Sequence, residues 1–176
     1  MRNVPPGQLF VRAISPRATR GVLLVGGRTY PCALGRAGRR AMKREGDGAT
    51  PKGHFRLERV YYRPDRCPRP RTGLPVKTIA RAAGWCDAPA DRNYNRQVCL
   101  PYPASAEEMW RADGLYDVVV VLDCNRRPRI RSRGSAIFMH VARPGFTPTE
   151  GCIALTRPAL LRVLATLKSG ARIRIP

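Results

Sequence analysis

Short runs of β-branched and apolar residues, each ended by turn-forming residues, constrain the fold of this 176-residue chain most strongly. Three such runs, at 9–15, 21–25 and 29–34, are separated by Pro-Arg-Ala-Thr and Gly-Gly-Arg, which predicts a β-meander. Residues 54–62 alternate apolar and polar side chains after a turn-rich loop at 46–53, as a half-buried strand does. The chain is therefore expected to be mainly β.

The C-terminal half adds buried strands and a helix. Residues 115–122 and 135–141 are apolar runs, of which the first is dominated by Val, and both predict buried strands. Thr156 begins an amphipathic helix that ends at 168–170, and its core-facing residues are Leu160, Leu161, Leu164 and Leu167. Residues 171–175 form a closing strand. The prediction is an α+β fold, mainly β with a few helices.

The segment 63–110 is predicted to be a long ordered excursion within a single domain that spans 1–176. Ser105, with Glu108 three residues later, forms a capping box and predicts a short helix there. Aromatic residues punctuate the excursion, and they either line a groove or, as we favour, pin the excursion to the core: Trp85, Tyr94 and Tyr102.

Charge is the most unusual feature of the composition. The 33 Lys and Arg residues against 12 Asp and Glu give a formal net charge of +21. The arginines are scattered from Arg2 to Arg174, which favours a cationic surface for acidic partners over a nucleic-acid-binding module, the alternative from a different functional class. The longest apolar run, 118–122, is too short to span a bilayer, and no signal peptide is visible at the N-terminus.

One pair of residues predicts chemistry. His140 ends a buried strand, and Cys152 follows twelve residues later behind a loop, so the imidazole can reach the thiol and accept its proton. Gly151 lets the backbone turn and present amides beside the sulfur, where an oxyanion would form. His54 competes as a base but lies inside an alternating strand, and we rank it behind His140.

The wider pattern resembles a known family. Gly134-Ser-Ala-Ile-Phe-Met-His140 followed by Thr149-Glu-Gly-Cys152-Ile-Ala-Leu is similar to the signature of the L,D-transpeptidase catalytic domain. The segment 47–55, Asp-Gly-Ala-Thr-Pro-Lys-Gly-His-Phe, resembles the Thr-Pro-x-Gly-x-Phe segment in the first half of that family. The resemblance implies a mixed β-sandwich-like domain that acts on the stem peptides of bacterial peptidoglycan, in the periplasm or cell envelope, without a cofactor.

The resemblance also implies roles for individual residues. Cys152 is the implied nucleophile and His140 the general base and acid, with the amides of Gly151 and Cys152 as oxyanion donors. In the implied reaction, Cys152 attacks the carbonyl at the L-centre of a diamino acid and releases the terminal D-residue, which leaves a thioester. The acyl group is then transferred from the thioester to an acceptor amine. If water resolves the thioester, the same site is an L,D-carboxypeptidase. Thr149 either shapes the loop or contacts substrate.

Two positions depart from the family pattern. Glu150 stands where many members have His, and Ala154 stands where many have Arg. Arg143 is the candidate replacement for that guanidinium in binding a substrate carboxylate, but in a chain so rich in arginine we favour an incidental surface role for it. Glu150 is a candidate substrate contact, and otherwise either orients His140 or pairs with an arginine; a backbone carbonyl is the orienting group that the family implies.

Cysteine spacing excludes two other classes of protein. The six cysteines contain no C-x-x-C pair and only two histidines accompany them, so no metal site is predicted. A free Cys152 leaves five cysteines, at most two disulfides and an unpaired thiol, which is not a disulfide framework. The sequence makes no prediction about oligomeric state.

Overall fold

The computed structural model describes residues 7–176. These residues form fourteen β-strands, one α-helix and one 3₁₀ turn: β1 Gln8–Arg12, β2 Arg20–Val25, β3 Arg28–Ala33, β4 Arg39–Arg40, β5 Thr50–Pro51, β6 Gly53–Tyr62, β7 Val76–Thr78, β8 Ala83–Cys86, β9 Arg96–Cys99, β10 Ala106–Glu108, β11 Val118–Leu122, β12 Phe138–Val141, the 3₁₀ turn Pro144–Phe146, β13 Ile153–Leu155, α1 Arg157–Thr166 and β14 Arg172–Ile175. The predicted mainly β fold is confirmed. Within the described residues no helix has the length and apolar character needed to cross a membrane.

The main sheet has nine strands and closes on itself. Its order is β11-β12-β13-β3-β2-β1-β14-β6-β7, and β6 also pairs with β11. The ten residues of β6 make this closure possible, because its first half pairs with β14 and its second half with β11. The predicted meander is present as the antiparallel pairs β1–β2 and β2–β3. The sandwich-like layers are thus joined into a barrel-like sheet of mixed direction.

The valine run of β11 is buried on both faces, as its sequence predicts. Val118, Val120 and Leu122 belong to the main core, which fills the closed sheet and includes the apolar face of α1. Val119 and Val121 belong to a second core on the outer face. The sheet therefore has an outer face that must be covered, and β11 and β12 lie under that cover.

Helix α1 begins as the sequence predicts. The Thr156 side chain accepts a hydrogen bond from the Ala159 N–H and caps the first turn. Leu160, Val163 and Leu164 are buried, so the amphipathic face packs against the main core. The helix ends at Thr166, and β14 then enters the main sheet between β1 and β6.

Residues 63–110 supply the cover. They contain β7 and a separate three-stranded sheet in the order β10-β8-β9. Trp85 on β8 is 2% exposed and packs edge-on against Phe138 of β12, with ring centroids 5.0 Å apart. The Trp85 indole N–H donates to Asn95 Oδ1 at 3.0 Å. Trp85 therefore pins the excursion to the outer face of the main sheet.

The helix predicted from Ser105 is wrong. Residues 106–108 form β10, which pairs antiparallel with β8 and places Glu107 opposite Trp85. The capping box predicts only a few helical residues, and a helix that short is unstable on its own in water. Pairing with β8 satisfies the backbone instead, so tertiary contact overrides the local signal.

Candidate active site

Strand register places His140 and Cys152 on the same face of the main sheet. β12 and β13 run parallel, with Met139 opposite Ile153 and His140 opposite Ala154. Cys152 immediately precedes β13 and so lies beside Phe138. Because alternate residues share a face, the side chains of His140 and Cys152 both project to the outer face, two residues apart in register.

Both side chains line one cavity of about 490 Å³, at the edge of the outer core. The main sheet and the loop 147–152 form one wall, and residues 107–116 form another. The structure thus brings together two residues whose separation in sequence is twelve positions, and adds a wall from residues 107–116 that the sequence did not assign to the site.

Cys152 is a buried, neutral thiol. Its side chain donates to Ala136 O at 3.2 Å and accepts the Phe138 N–H at 3.4 Å. Burial raises the pKa of the Cys152 thiol to about 12, and the negative charge of Glu107 adds to that shift. The Phe138 N–H opposes the shift, because it stabilises the thiolate. The sulfur therefore carries its proton at neutral pH and has a hydrogen-bond donor in place for the thiolate.

His140 is held in one tautomer by the backbone. Its Nδ1 lies 2.9 Å from Val141 O, and a carbonyl oxygen only accepts, so Nδ1–H is the donor and Nε2 is the free basic nitrogen. Burial lowers the pKa of the imidazole to about 4. The ring is thus a neutral base at pH 7, oriented by a backbone carbonyl and not by Glu150.

A wall of polar residues beside His140 was missed by sequence reasoning. Tyr116 stands edge-on to the His140 ring with centroids 5.4 Å apart, and its hydroxyl donates to Glu107 Oε1 at 2.6 Å. The Arg111 guanidinium covers the Tyr116 ring at 5.2 Å and pairs with Asp113 at 2.6 Å. These residues lie within or just after the mispredicted helix, and no motif connects them to His140, so only the three-dimensional fold reveals them.

The loop before Cys152 is shaped by Thr149. Its hydroxyl donates to Cys152 O at 2.7 Å and accepts the Gly151 N–H at 3.2 Å. The Gly151 amide is therefore engaged by Thr149. In contrast, no hydrogen bond within residues 7–176 uses the Cys152 N–H. Of the two amides expected to hold an oxyanion, the one at Cys152 is free in this structure.

Gly151 is required by its backbone and by its neighbour. Its φ of +133° is one that residues with a side chain rarely adopt, and a Cβ built there would lie 2.8 Å from Ala49 O. Ala49 belongs to the Asp-Gly-Ala-Thr-Pro segment, and the next residue, Thr50, accepts the Gly35 N–H at 2.8 Å. Gly35 in turn forms a β-bridge with Thr149. The two sequence motifs are thus in direct contact.

The remaining predicted residues lie at the rim. Arg143 is 53% exposed and lies 3.7 Å from Asp113. Glu150 pairs with Arg36 at 2.8 Å, where both side chains are largely exposed. Both residues line the cavity, whereas His54 is exposed on β6, opposite Arg174 of β14, and is not among its lining residues.

One buried cation completes the cavity. Lys43 is 7% exposed. Its ammonium group pairs with Asp47 and donates to Arg44 O at 2.8 Å. Its positive charge also lowers the pKa of Cys152, against the larger effect of burial. All six cysteines are free thiols. Across residues 7–176, no cluster of three or more His, Cys, Asp or Glu residues is arranged to hold a metal ion.

The comparison with family profiles agrees with the sequence resemblance. The profile of the YkuD family, described as the L,D-transpeptidase catalytic domain, matches residues 14–175. Among solved structures, L,D-transpeptidase 1 of Mycobacterium tuberculosis is similar, at 15% sequence identity and a TM-score of 0.40. That match covers 96% of this chain but only 61% of the other. No curated protein matches the sequence. Because the family profile spans nearly its whole length, the chain belongs to the L,D-transpeptidase catalytic domain family.

Proposed function

We propose that the chain is a cysteine acyltransferase that cross-links peptidoglycan stem peptides, with Cys152 as nucleophile and His140 as general base and acid. One observation carries the proposal: the Cys152 thiol and the His140 imidazole project from neighbouring strands into one cavity, and the backbone fixes His140 with Nε2 as its free nitrogen. A buried thiol beside a neutral, oriented imidazole is the arrangement that cysteine acyl transfer requires.

The first step forms a tetrahedral intermediate. The Cys152 sulfur attacks the carbonyl carbon at the L-centre of a diamino acid while its proton moves to His140 Nε2. The carbonyl oxygen gains negative charge, and the free Cys152 N–H donates to it. The Gly151 amide is already bonded to Thr149, so we assign Gly151 a conformational role and the oxyanion role to Cys152.

The second step breaks the amide. The intermediate collapses, the C–N bond to the terminal D-residue breaks, and the imidazolium proton passes from His140 Nε2 to the leaving amine. A thioester on Cys152 remains. An acceptor amine from a second stem peptide then attacks the thioester carbonyl and gives a proton to His140, the new amide forms, and the thiolate leaves and is reprotonated.

Because Cys152 and His140 are both neutral, the timing of proton transfer from the thiol to the imidazole follows from their pKa values. The pKa values of about 12 for Cys152 and about 4 for His140 leave both groups uncharged at pH 7. Proton transfer therefore accompanies attack on the substrate, and a thiolate–imidazolium pair does not form beforehand. A protonated thiol is also less readily oxidised, which suits an enzyme that acts in the cell envelope.

Substrate contacts are assigned to the rim. Arg143 is exposed beside the cavity and is our candidate for the carboxylate of the stem peptide. Ala154, opposite His140 in register, offers no guanidinium, and Arg111 in the cavity wall is paired with Asp113, so we assign the carboxylate to the rim. The Thr149 hydroxyl makes two hydrogen bonds within the loop, and we therefore assign Thr149 the role of shaping that loop.

Product analysis tests the proposal. Tetrapeptide muropeptides incubated with the protein are expected to give cross-linked dimers and free D-residue. Cys152→Ala removes the nucleophile and is expected to abolish both products, while His140→Gln is expected to reduce them by about 10²- to 10⁴-fold, the contribution of a general base. Arg28→Gln, at an exposed position of the hairpin between β2 and β3, is the control and leaves the rate unchanged.

The products also separate transfer from hydrolysis. Release of the D-residue without dimers, even with added acceptor, would assign L,D-carboxypeptidase activity to the same cysteine. Product formation that survives Cys152→Ala would reject the proposed nucleophile.

A further inference from the structure

A second cavity, of about 540 Å³, lies on the outer face of β6, beside β9 and the residues that follow β11. Neither Cys152 nor His140 lines it. Its volume falls within the usual range of small-molecule sites, about 300–1,000 Å³. The cavity therefore has room for a ligand that the acyl-transfer site does not hold.

A β-bulge concentrates arginines at this cavity. On β6, Arg59 pairs with Val121, but Leu57 pairs with Leu122, so Glu58 is an extra residue in the strand. In a regular strand, residues three apart lie on opposite faces. The bulge instead allows Arg56 and Arg59 to line the same cavity.

The charges at this cavity do not balance. Among residues 7–176, five arginines line it, and they are Arg56, Arg59, Arg96, Arg126 and Arg127. Glu58 is the single carboxylate among the lining residues, and it pairs with Arg126 at 3.0 Å. Within residues 7–176, no carboxylate forms an ion pair with any of the other four arginines.

The acyl-transfer cavity shows that this imbalance is not general. Its lining holds three basic residues and four acidic ones, which are Lys43, Arg111, Arg143, Glu45, Asp87, Glu107 and Glu150. The charges are thus nearly balanced in the acyl-transfer cavity, whereas the second cavity has four unpaired positive charges.

Side-chain contacts hold the floor of the second cavity in place. Arg126 lies over the Trp85 ring at 4.9 Å and donates to Asn95 O at 2.8 Å. Beside it, the Tyr61 hydroxyl donates to Gln97 Oε1 at 2.7 Å. These contacts fix the floor, while the unpaired arginines stand around it with their donors available. A preorganised site of this kind loses little entropy on binding.

We propose that the second cavity binds a compact anion with linked phosphates, of the class of pyrophosphate esters. Guanidinium groups bind phosphate oxygens in pairs of parallel hydrogen bonds. Linked phosphates carry several negative charges within a few ångströms, which matches four unpaired arginines around one cavity. A single phosphate engages fewer of them. Among the described residues, none lines both cavities.

Calorimetric titration with inorganic pyrophosphate at physiological salt tests this site. We expect binding at least tenfold tighter than that of orthophosphate. The triple variant Arg56→Gln, Arg59→Gln, Arg127→Gln is expected to weaken pyrophosphate binding at least tenfold. The control triple, Arg28→Gln, Arg131→Gln, Arg162→Gln, removes the same charge from exposed positions outside both cavities and is expected to change affinity less than twofold.

Several outcomes would overturn the proposal. These are no binding of pyrophosphate to the wild-type protein, equal affinity for the two anions, or equal loss of affinity in the two triple variants. Tight binding of duplex DNA that both triples weaken equally, without pyrophosphate binding, would assign the charge to a nucleic-acid surface instead. Equal thermal midpoints of the two triples show that altered folding does not explain a difference in affinity.

Discussion

The reactivity of Cys152 is set by its surroundings more than by its residue type. Burial raises its pKa to about 12, and the neighbouring His140, with a pKa lowered to about 4, remains uncharged. The thiolate fraction of such a thiol rises tenfold with each pH unit up to pH 12. We therefore expect the rate of iodoacetamide alkylation at Cys152 to rise about tenfold per unit between pH 6 and 9.

Peptide mass spectrometry measures that rate for Cys152 separately from the other five cysteines, and the exposed Cys99 serves as the reference for reagent access. A rate that is constant from pH 5 to 8 would show a preformed thiolate–imidazolium pair, in conflict with the neutral pair described above.

Gly151 is a second residue with a testable role. Its positive φ and the close approach of Ala49 O leave no room for a Cβ, so Gly151→Ala is expected to destabilise the fold by about 3 kcal/mol. Gly27→Ala is the matched control, because Gly27 also has a positive φ but no neighbour within 4 Å of its added Cβ. The control is expected to lose only about 1 kcal/mol.

Urea unfolding measures both free energies, and the rate of Cys152 acylation is the second readout. Equal free energies of unfolding for the two variants would mean that the contact between the Cys152 loop and Ala49 is unimportant.

Among the elements, the three-stranded sheet is connected to the site by a series of contacts. Trp85 packs against Phe138, whose N–H donates to Cys152, and Asn95 accepts from Trp85 and from the Ala136 N–H. Trp85→Ala is expected to lower the free energy of unfolding by about 3–5 kcal/mol. Ile130→Ala, at a residue that is 53% exposed, is expected to change it by less than about 0.5 kcal/mol.

Denaturant titration followed by tyrosine and tryptophan fluorescence suits the Ile130 variant, and circular dichroism suits the Trp85 variant, which loses one of the two tryptophans. If Trp85→Ala unfolded with wild-type stability, the excursion would not be anchored by this residue.

At the level of elements, the sequence predicted strands well and the excursion poorly. Alternation in β6 and the Val run of β11 are local patterns that survive folding, and the Thr156 cap is a local hydrogen bond. The capping box at Ser105 is also local, but pairing with β8 overrides it. Local signals therefore predict an element when no distant strand competes for its backbone.

The same reasoning applies to the site. His140 and Cys152 lie at a strand end and behind a glycine, and a chemical motif makes them visible in the sequence. Tyr116, Glu107 and Lys43 reach the cavity through pairing of segments that are far apart in the chain, so they carry no motif. Glu150 could have oriented His140, but Arg36 is its partner.

The molecule as a whole is expected to lose stability when His140 is protonated. Its pKa is about 4 when folded and about 6.5 when unfolded, so the unfolded chain binds more protons between these values. The contribution of neutral His140 to the free energy of unfolding is thus fully present above pH 6.5. It is lost as pH drops towards 4, and the loss is roughly 3 kcal/mol in all.

The His140→Gln variant tests this effect, because it removes the titrating imidazole and leaves every other ionisable side chain in place. Urea unfolding at pH 4 to 7 is expected to show the loss in the wild-type protein relative to the variant. Parallel stability curves for the two proteins would contradict the buried neutral imidazole.

Charge and chemistry are separated within the molecule. A formal net charge of +21 favours encounter with anionic partners, and it leaves one cavity strongly cationic. The other cavity, balanced in charge, holds an uncharged thiol and an uncharged imidazole. The basic surface thus bears on where the protein binds, whereas the proposed reaction rests on two neutral residues.

The central claim is that Cys152 forms a thioester with a stem peptide, and intact mass spectrometry during turnover tests it most directly. The wild-type protein incubated with tetrapeptide muropeptide is expected to gain the mass of the donor minus its terminal D-residue, with the adduct mapped to the peptide that contains Cys152. Cys152→Ala is expected to gain no mass. An adduct on another residue, or turnover by Cys152→Ala, would contradict the account.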